Sequence, residues 1–167
     1  MNPFVKRLAS TLTASAMILT AGVIVPVQAA DTKTDAPPLF TAEAEECTLL
    51  SGASVTTKVY EKEYPGYGGE GFVWASNSGG VTFEVDVPEN AMYELTTRCW
   101  MYLGEPGETR LQTMAIDGEV KSSIYIPNNE GWDNSSFGFF YLEKGKHTID
   151  IGASGSWGFI LYDTVTF

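Results

Sequence analysis

The sequence predicts an all-β protein, an antiparallel β-sandwich or barrel, and three observations carry that prediction. Apolar residues recur at period two in short runs: Val81, Phe83, Val85 and Val87 alternate with Thr82, Glu84 and Asp86. Turn signals separate the runs, among them Pro88-Glu89-Asn90, Asp117-Gly118 and Glu143–Lys146. No window places apolar residues at helical spacing over three turns, and the 17 glycines fall mostly between the runs. Regular short strands with turns between them are the pattern of a sandwich or barrel.

The elements follow in order. A strand through Glu43-Ala44-Glu45 would point both carboxylates to one face and Ala44 to the other. After Val81–Val87, Tyr93, Leu95, Thr97 and Cys99 alternate with Glu94, Thr96, Arg98 and Trp100. Leu111–Ile116 runs into Asp117-Gly118, a strong two-residue hairpin signal, and Val120–Ile126 returns. Phe137–Leu142, a polar turn and His147–Ile151 form the next pair, and Phe159–Phe167 ends the chain.

The first 38 residues stand apart from this pattern. Met1–Arg7 carries Lys6 and Arg7 and no acid, an apolar run follows from Leu8 to Val27, and Val27-Gln28-Ala29 is a small-residue exit. That order predicts a secretory signal peptide over residues 1–29. The rival reading, a membrane anchor, is weakened by Ser10, Thr11, Thr13, Ser15 and Thr20 within the run and by Pro26 at its end. Residues 30–38, ending in Pro37-Pro38, have the composition of a short extended linker. Residues 39–167 then make one domain, long enough to bury roughly two-thirds of its unfolded surface without extra staples. The expected product is a secreted, extracellular monomer, with no membrane contact after cleavage.

Removing Lys6 and Arg7 from 10 basic residues leaves 8 against 21 acidic ones, a net charge of −13 in place of −11. So acidic a chain has little with which to neutralise phosphates, so nucleic acid is excluded as a partner. A solvated acidic surface or a bound divalent cation accounts for the carboxylates. Cys47 and Cys99 form an even pair in the exported part, which favours a disulfide; two separate buried thiols are the alternative. The one histidine, His147, excludes a histidine metal cluster, and no Gly-x-Ser-x-Gly elbow or phosphate-cradling loop is present.

Two constellations point to chemistry. Glu43, Glu45 and Asp163 are acids of the first and last strands, which often pair in a sandwich. Asp163 lies among the apolar residues of its strand and wants a partner, and hard oxygen ligands suit calcium. A solvated acidic edge explains the same pattern equally well. Tyr64, Tyr67, Trp74, Trp132 and Trp157 stand near glycines, where flat rings make platforms for the C–H faces of sugars or else cap the core.

These residues resemble carbohydrate-binding module family 35, a relative of family 6. The resemblance rests on an ordered set: Thr41–Glu46, Leu50–Ala53, Gly66–Val73, Val81–Val87, Tyr93–Leu95, Gly131–Asp133, Leu142–Ile149 and Trp157–Asp163. It covers about residues 39–167. It implies a jelly-roll-like sandwich without catalytic activity. It implies a structural calcium held by Glu43, Glu45 and Asp163, completed by backbone oxygens of the glycine-rich loop after Tyr64. It also implies sugar binding by loops at one end of the sandwich, here Trp157 first, then Tyr67, Trp132, Asp133 and Asn134. Members of the family divide between β-mannan, uronic acids bound with a second calcium, and other plant-wall sugars. They are commonly joined to a glycoside hydrolase such as a β-mannanase, so a fused catalytic domain is an expected partner. Trp100-Met101-Tyr102 and the Glu105–Glu108 loop depart from the family pattern.

The expected function is therefore a non-catalytic module that holds an enzyme or cell on plant-wall polysaccharide, with β-mannan or galactomannan the first choice. The rivals are a uronic-acid or pectin module using a second calcium, a small glycosidase or lyase with a carboxylate pair, and a protein-binding adhesion module.

Overall fold

Alternation along the chain resolves into thirteen strands in a computed structural model, which describes residues 37–153 and 158–167. The predicted signal peptide, most of the predicted linker and Trp157 lie outside the described residues. The strands are β1 (Thr41–Glu43), β2 (Thr48–Leu49), β3 (Ala53–Thr56), β4 (Lys58–Val59), β5 (Lys62–Glu63), β6 (Phe72–Ala75) and β7 (Gly80–Val87). They continue as β8 (Ala91–Met101), β9 (Thr109–Ile116), β10 (Glu119–Pro127), β11 (Asp133–Leu142), β12 (Gly145–Ala153) and β13 (Ile160–Thr166).

One large sheet has the order β11-β8-β13-β6-β3, with β1 also on β13; the second is β10-β9-β12-β7-β2, and β4 and β5 form a separate two-stranded ribbon. All pairings are antiparallel, so each strand can present one face to its partner sheet and one outward. Between the sheets lies the main core, including Val81, Phe83, Val85 and Val87 of β7, Leu95, Cys99 and Met101 of β8, and Ile149 and Ile151 of β12. The predicted β9–β10 hairpin forms, and Asp117 (φ 53°) and Gly118 (φ 79°) take the left-handed conformations its two-residue turn requires.

The last strand meets two neighbours in succession on one edge. Ile160–Tyr162 pair with β6, and Thr164–Thr166 pair with β1. Asp163 falls at the change-over. On the other edge the register with β8 slips there, Tyr162 facing Cys99 and Thr164 facing Arg98, so Asp163 is the extra residue of a β-bulge. Phe40 and Phe167 exchange two backbone hydrogen bonds (3.0 and 2.8 Å) that join the residue before β1 to the residue after β13.

Two expectations are corrected here. The first strand stops at Glu43, and Ala44–Glu46 form a 3-10 turn, so Glu43 and Glu45 do not share a strand face. Buried Ala44 turns into the core at the start of that turn. Cys47 and Cys99 are both free thiols, and the predicted disulfide is not formed. Cys47 directly precedes the short edge strand of one sheet, and its Sγ faces Glu43 O. Cys99 lies inside the other sheet, between β11 and β13, and its Sγ faces Ser135 Oγ. The two thiols thus belong to different layers and have different partners.

Candidate functional site

Pairing register fixes which side chains share the outer face of the β13 sheet. The main-core residues Leu95, Cys99 and Met101 occupy odd positions of β8, so Arg98, Trp100 and then Tyr102 point outward. Opposite them stand Asn134 of β11 against Arg98, and Leu161 of β13 against Trp100 and Trp74. Around Leu161 a second apolar cluster forms, with Val59, Tyr64, Phe72 and Tyr102 buried and Tyr67, Trp74, Trp100, Trp132 and Phe159 partly buried against them.

The rings meet mostly edge to face, as aromatic quadrupoles prefer. Tyr64 lies 5.1 Å from Trp100, Trp100 lies 5.7 Å from Trp132, and Phe72 contacts Tyr67 at 5.2 Å and Trp132 at 5.6 Å. Exposed Tyr60 leans on Trp74 at 5.6 Å. Trp74 Nε1 donates to Tyr102 Oη and Trp132 Nε1 to Tyr64 O (3.2 Å), so the buried polar edges are satisfied. Lys62 Nζ lies 5.0 Å from the Tyr64 ring centroid and 6.0 Å from that of Trp100. Beside these rings, Thr57, Lys58, Glu63, Tyr64, Pro65, Gly66 and Tyr67 line an open groove of about 440 Å³.

The structure brings together Tyr67 and Trp132, both on Phe72. It places Asp133 and Asn134 at the start of β11, exposed rather than in a free loop, with Asp133 accepting from Asn129 Nδ2 (2.7 Å) and from Asn134 N–H (2.8 Å). Tyr64, which the sequence left as either a loop platform or a cap on the core, is buried. Trp100 and Tyr102 are the cluster members that sequence reasoning set aside as departures; their even positions opposite core residues on β8 were the available signal. Phe159, just before β13, joins the cluster with its ring 5.9 Å from Tyr102.

Next to the rings, Glu43, Glu45 and Asp163 gather around the Gly66–Gly71 loop. Asp163, 1% exposed, accepts from Gly68 N–H (2.7 Å) and from Arg98, which also donates to Gly66 O (2.8 Å). Glu45 Oε1 accepts from the N–H groups of Glu70 (3.0 Å) and Gly71 (3.3 Å). The loop passes so close that a Cβ on Gly68 would fall 2.8 Å from Glu43 Oε2, and one on Gly69 would run into Glu45 Oε1. Burial pushes the Glu43 carboxyl above its usual range, and the neighbouring acids Asp163, Glu45 and Glu46 add to the rise.

Glu43 Oε2 and Glu45 Oε2 are buried with no hydrogen-bond partner. Such groups are costly unless something satisfies them. Three carboxylates and one guanidinium leave two negative charges uncompensated, the charge of one divalent cation. The donors are hard oxygens, which suit calcium. Among the described residues no three acid, histidine or cysteine side chains make a metal group by themselves, so backbone oxygens would have to complete the shell.

No protein-family model matches the chain. Over 107 residues it is 32% identical to the mannan endo-1,4-β-mannosidase B of Piromyces sp, a match covering 63% of this chain and 18% of that enzyme. The Podospora anserina GH26-CBM35 β-(1,4)-mannanase superposes with a TM-score of 0.62 at 27% identity, over 76% of this chain and 26% of that one. The family 35 carbohydrate-binding module of Clostridium thermocellum gives a TM-score of 0.64 at 21% identity, over 78% of this chain and 97% of the module. The likeness thus runs the length of a solitary module but through about a quarter or less of either enzyme.

Proposed function

We propose that this chain, a non-catalytic module with the fold of the family 35 carbohydrate-binding modules, binds plant-wall polysaccharide outside the cell, β-mannan or galactomannan first. The observation that carries the reading is the ring cluster on the outer face. A core of this kind would normally be sealed, yet Tyr67, Trp74, Trp100 and Trp132 are only partly buried and Tyr60 is 73% exposed. Rings held by their neighbours lose little conformational freedom when a sugar stacks on them. The choice of mannan is supported by the similarity to mannan-degrading enzymes. A catalytic domain in the same polypeptide fits that similarity, since the chain matches only part of each enzyme. Trp157 enters the proposal from the sequence alone, two residues before Phe159.

A structural calcium completes the reading. Glu43 and Glu45 would hold it through their unpartnered oxygens, with Asp163 beside them and carbonyls of the glycine loop as further ligands. Bound there, the ion would neutralise the carboxylates and tie β1, the 3-10 turn and the loop together.

Affinity electrophoresis in galactomannan and glucomannan gels tests the binding. Removing a central aromatic anchor costs about 2 kcal/mol, roughly thirtyfold in affinity. Trp100→Ala and Trp157→Ala should each lose most of the retardation shown by the wild type while melting as folded proteins. Wild-type migration by both folded variants would move the site elsewhere. A second reading, an acidic sugar, is favoured by Lys62 over the Tyr64 and Trp100 rings. Retardation by polygalacturonate but not by galactomannan would select it.

A further inference from the structure

We propose that Arg98 is a positioning residue that sets the height and tilt of Trp132 and Tyr67, and so ties the carboxylate cluster to the sugar-binding rings. The inference rests on the reading above that these rings bind sugar. One guanidinium engages three parts of the chain. It donates to Asp163 on the β13 bulge and to Gly66 O at 2.8 Å, and its Cζ lies 5.5 Å from the Trp132 ring centroid. Gly66 precedes Tyr67 directly, and a Cβ there would come 3.7 Å from Trp132 Cδ1, so the loop and the ring adjoin. Arg98 itself is 31% exposed, whereas Asp163 is 1% exposed.

The chemistry of the group explains the arrangement. A planar fork can direct two N–H groups along fixed lines while its face lies on an indole, and an ammonium group cannot do both. The Asp163 end is anchored, because the carboxylate is buried and also accepts from Gly68 N–H. The Gly66 and Trp132 end reaches the partly buried ring at the surface of the cluster. Arg98 therefore transmits the position of a rigid, buried acid to a ring at the ligand surface. A plain counter-ion would need only the charge.

Two variants of the full chain separate positioning from charge. Arg98→Lys keeps the charge and loses the fork. The double variant Arg98→Gln, Asp163→Asn removes both charges and leaves the local balance unchanged. Positioning predicts that each variant, folded by thermal melt, binds galactomannan about tenfold more weakly than wild type. It also predicts an altered tryptophan signal in near-ultraviolet circular dichroism, which a distant ion pair would not move. Wild-type binding and wild-type dichroism by either folded variant would overturn the proposal. If the wild type binds no polysaccharide at all, the ligand reading falls, and the dichroism alone decides for Arg98: an unchanged signal rejects it. Should Arg98→Lys fail to fold, the double variant decides by the same measurements.

Discussion

Both ring nitrogens of His147 face acceptors: Nδ1 lies 2.7 Å from Asp117 Oδ2 and Nε2 lies 2.8 Å from Glu143 O. Only the doubly protonated ring can donate to both, so the hydrogen bond to Asp117, then that to Glu143 O, raises the imidazole above its ordinary 6.5. The same bond, with Thr148 N–H, holds the Asp117 carboxyl below its ordinary 3.8. The histidine contribution is fully present below its unfolded value and is lost as pH rises through the raised one. The aspartate contribution is present above its unfolded value and is lost as pH falls through the lowered one. The pair therefore stabilises most between those two ordinary values, and being largely solvated it is worth at most a few degrees. The melting temperature should fall from about pH 6 to about pH 9 more in the wild type than in His147→Gln; parallel curves would remove the pair from the stability of the domain. The thiols make a second prediction at this scale. Burial pushes Cys47 up to about 11 and Cys99 up to about 12, so neither is an active nucleophile at neutral pH. Reductant should leave the melting curve unchanged, and alkylation in denaturant without reductant should label both; a protein labelled at neither would show the bridge the fold lacks.

At the scale of elements, strand alternation was legible and interruptions of it were not. Val81–Val87 and the Asp117-Gly118 hairpin follow from period and turn chemistry alone, because every inward position is apolar and the turn needs left-handed residues. Glu45 could not be placed that way. The chain leaves the strand after Glu43, and no local pattern announces a three-residue 3-10 turn. Asp163 likewise reaches the carboxylate cluster by a bulge, which shifts its register without marking the sequence. That β1 joins β13, as first and last strands were expected to do, is what brings Glu43 near Asp163 at all. The calcium reading belongs to these elements. An ion bound only by the folded state adds about 2.7 kcal/mol at a hundredfold excess over its dissociation constant, hence several degrees of melting temperature. Chelator should remove that increment, and Glu45→Gln should show no difference between chelator and calcium. Identical wild-type curves in both would end the hypothesis.

Over the whole molecule, the layered sandwich was predicted from periodicity, but the division of its aromatics was not. Glycine-flanked rings could be read as loop platforms or as caps on the core; the structure draws Tyr64 inward and brings Trp100 of β8 and Tyr102 just after it to the same surface. Rings from sequence-distant segments converge there, and no single-segment pattern can register that. Their convergence also gives the molecule two poles. The rings gather where β13 begins, and Phe40 and Phe167 meet where it ends, about 20 Å away along a seven-residue strand. A pull between the rings at one pole and the Phe40–Phe167 pair at the other would run parallel to β8 and β13. Their interstrand hydrogen bonds lie across that direction, so they would be sheared together rather than peeled one at a time. Along β8 and β13 the sandwich therefore resists shear better than it would resist peeling.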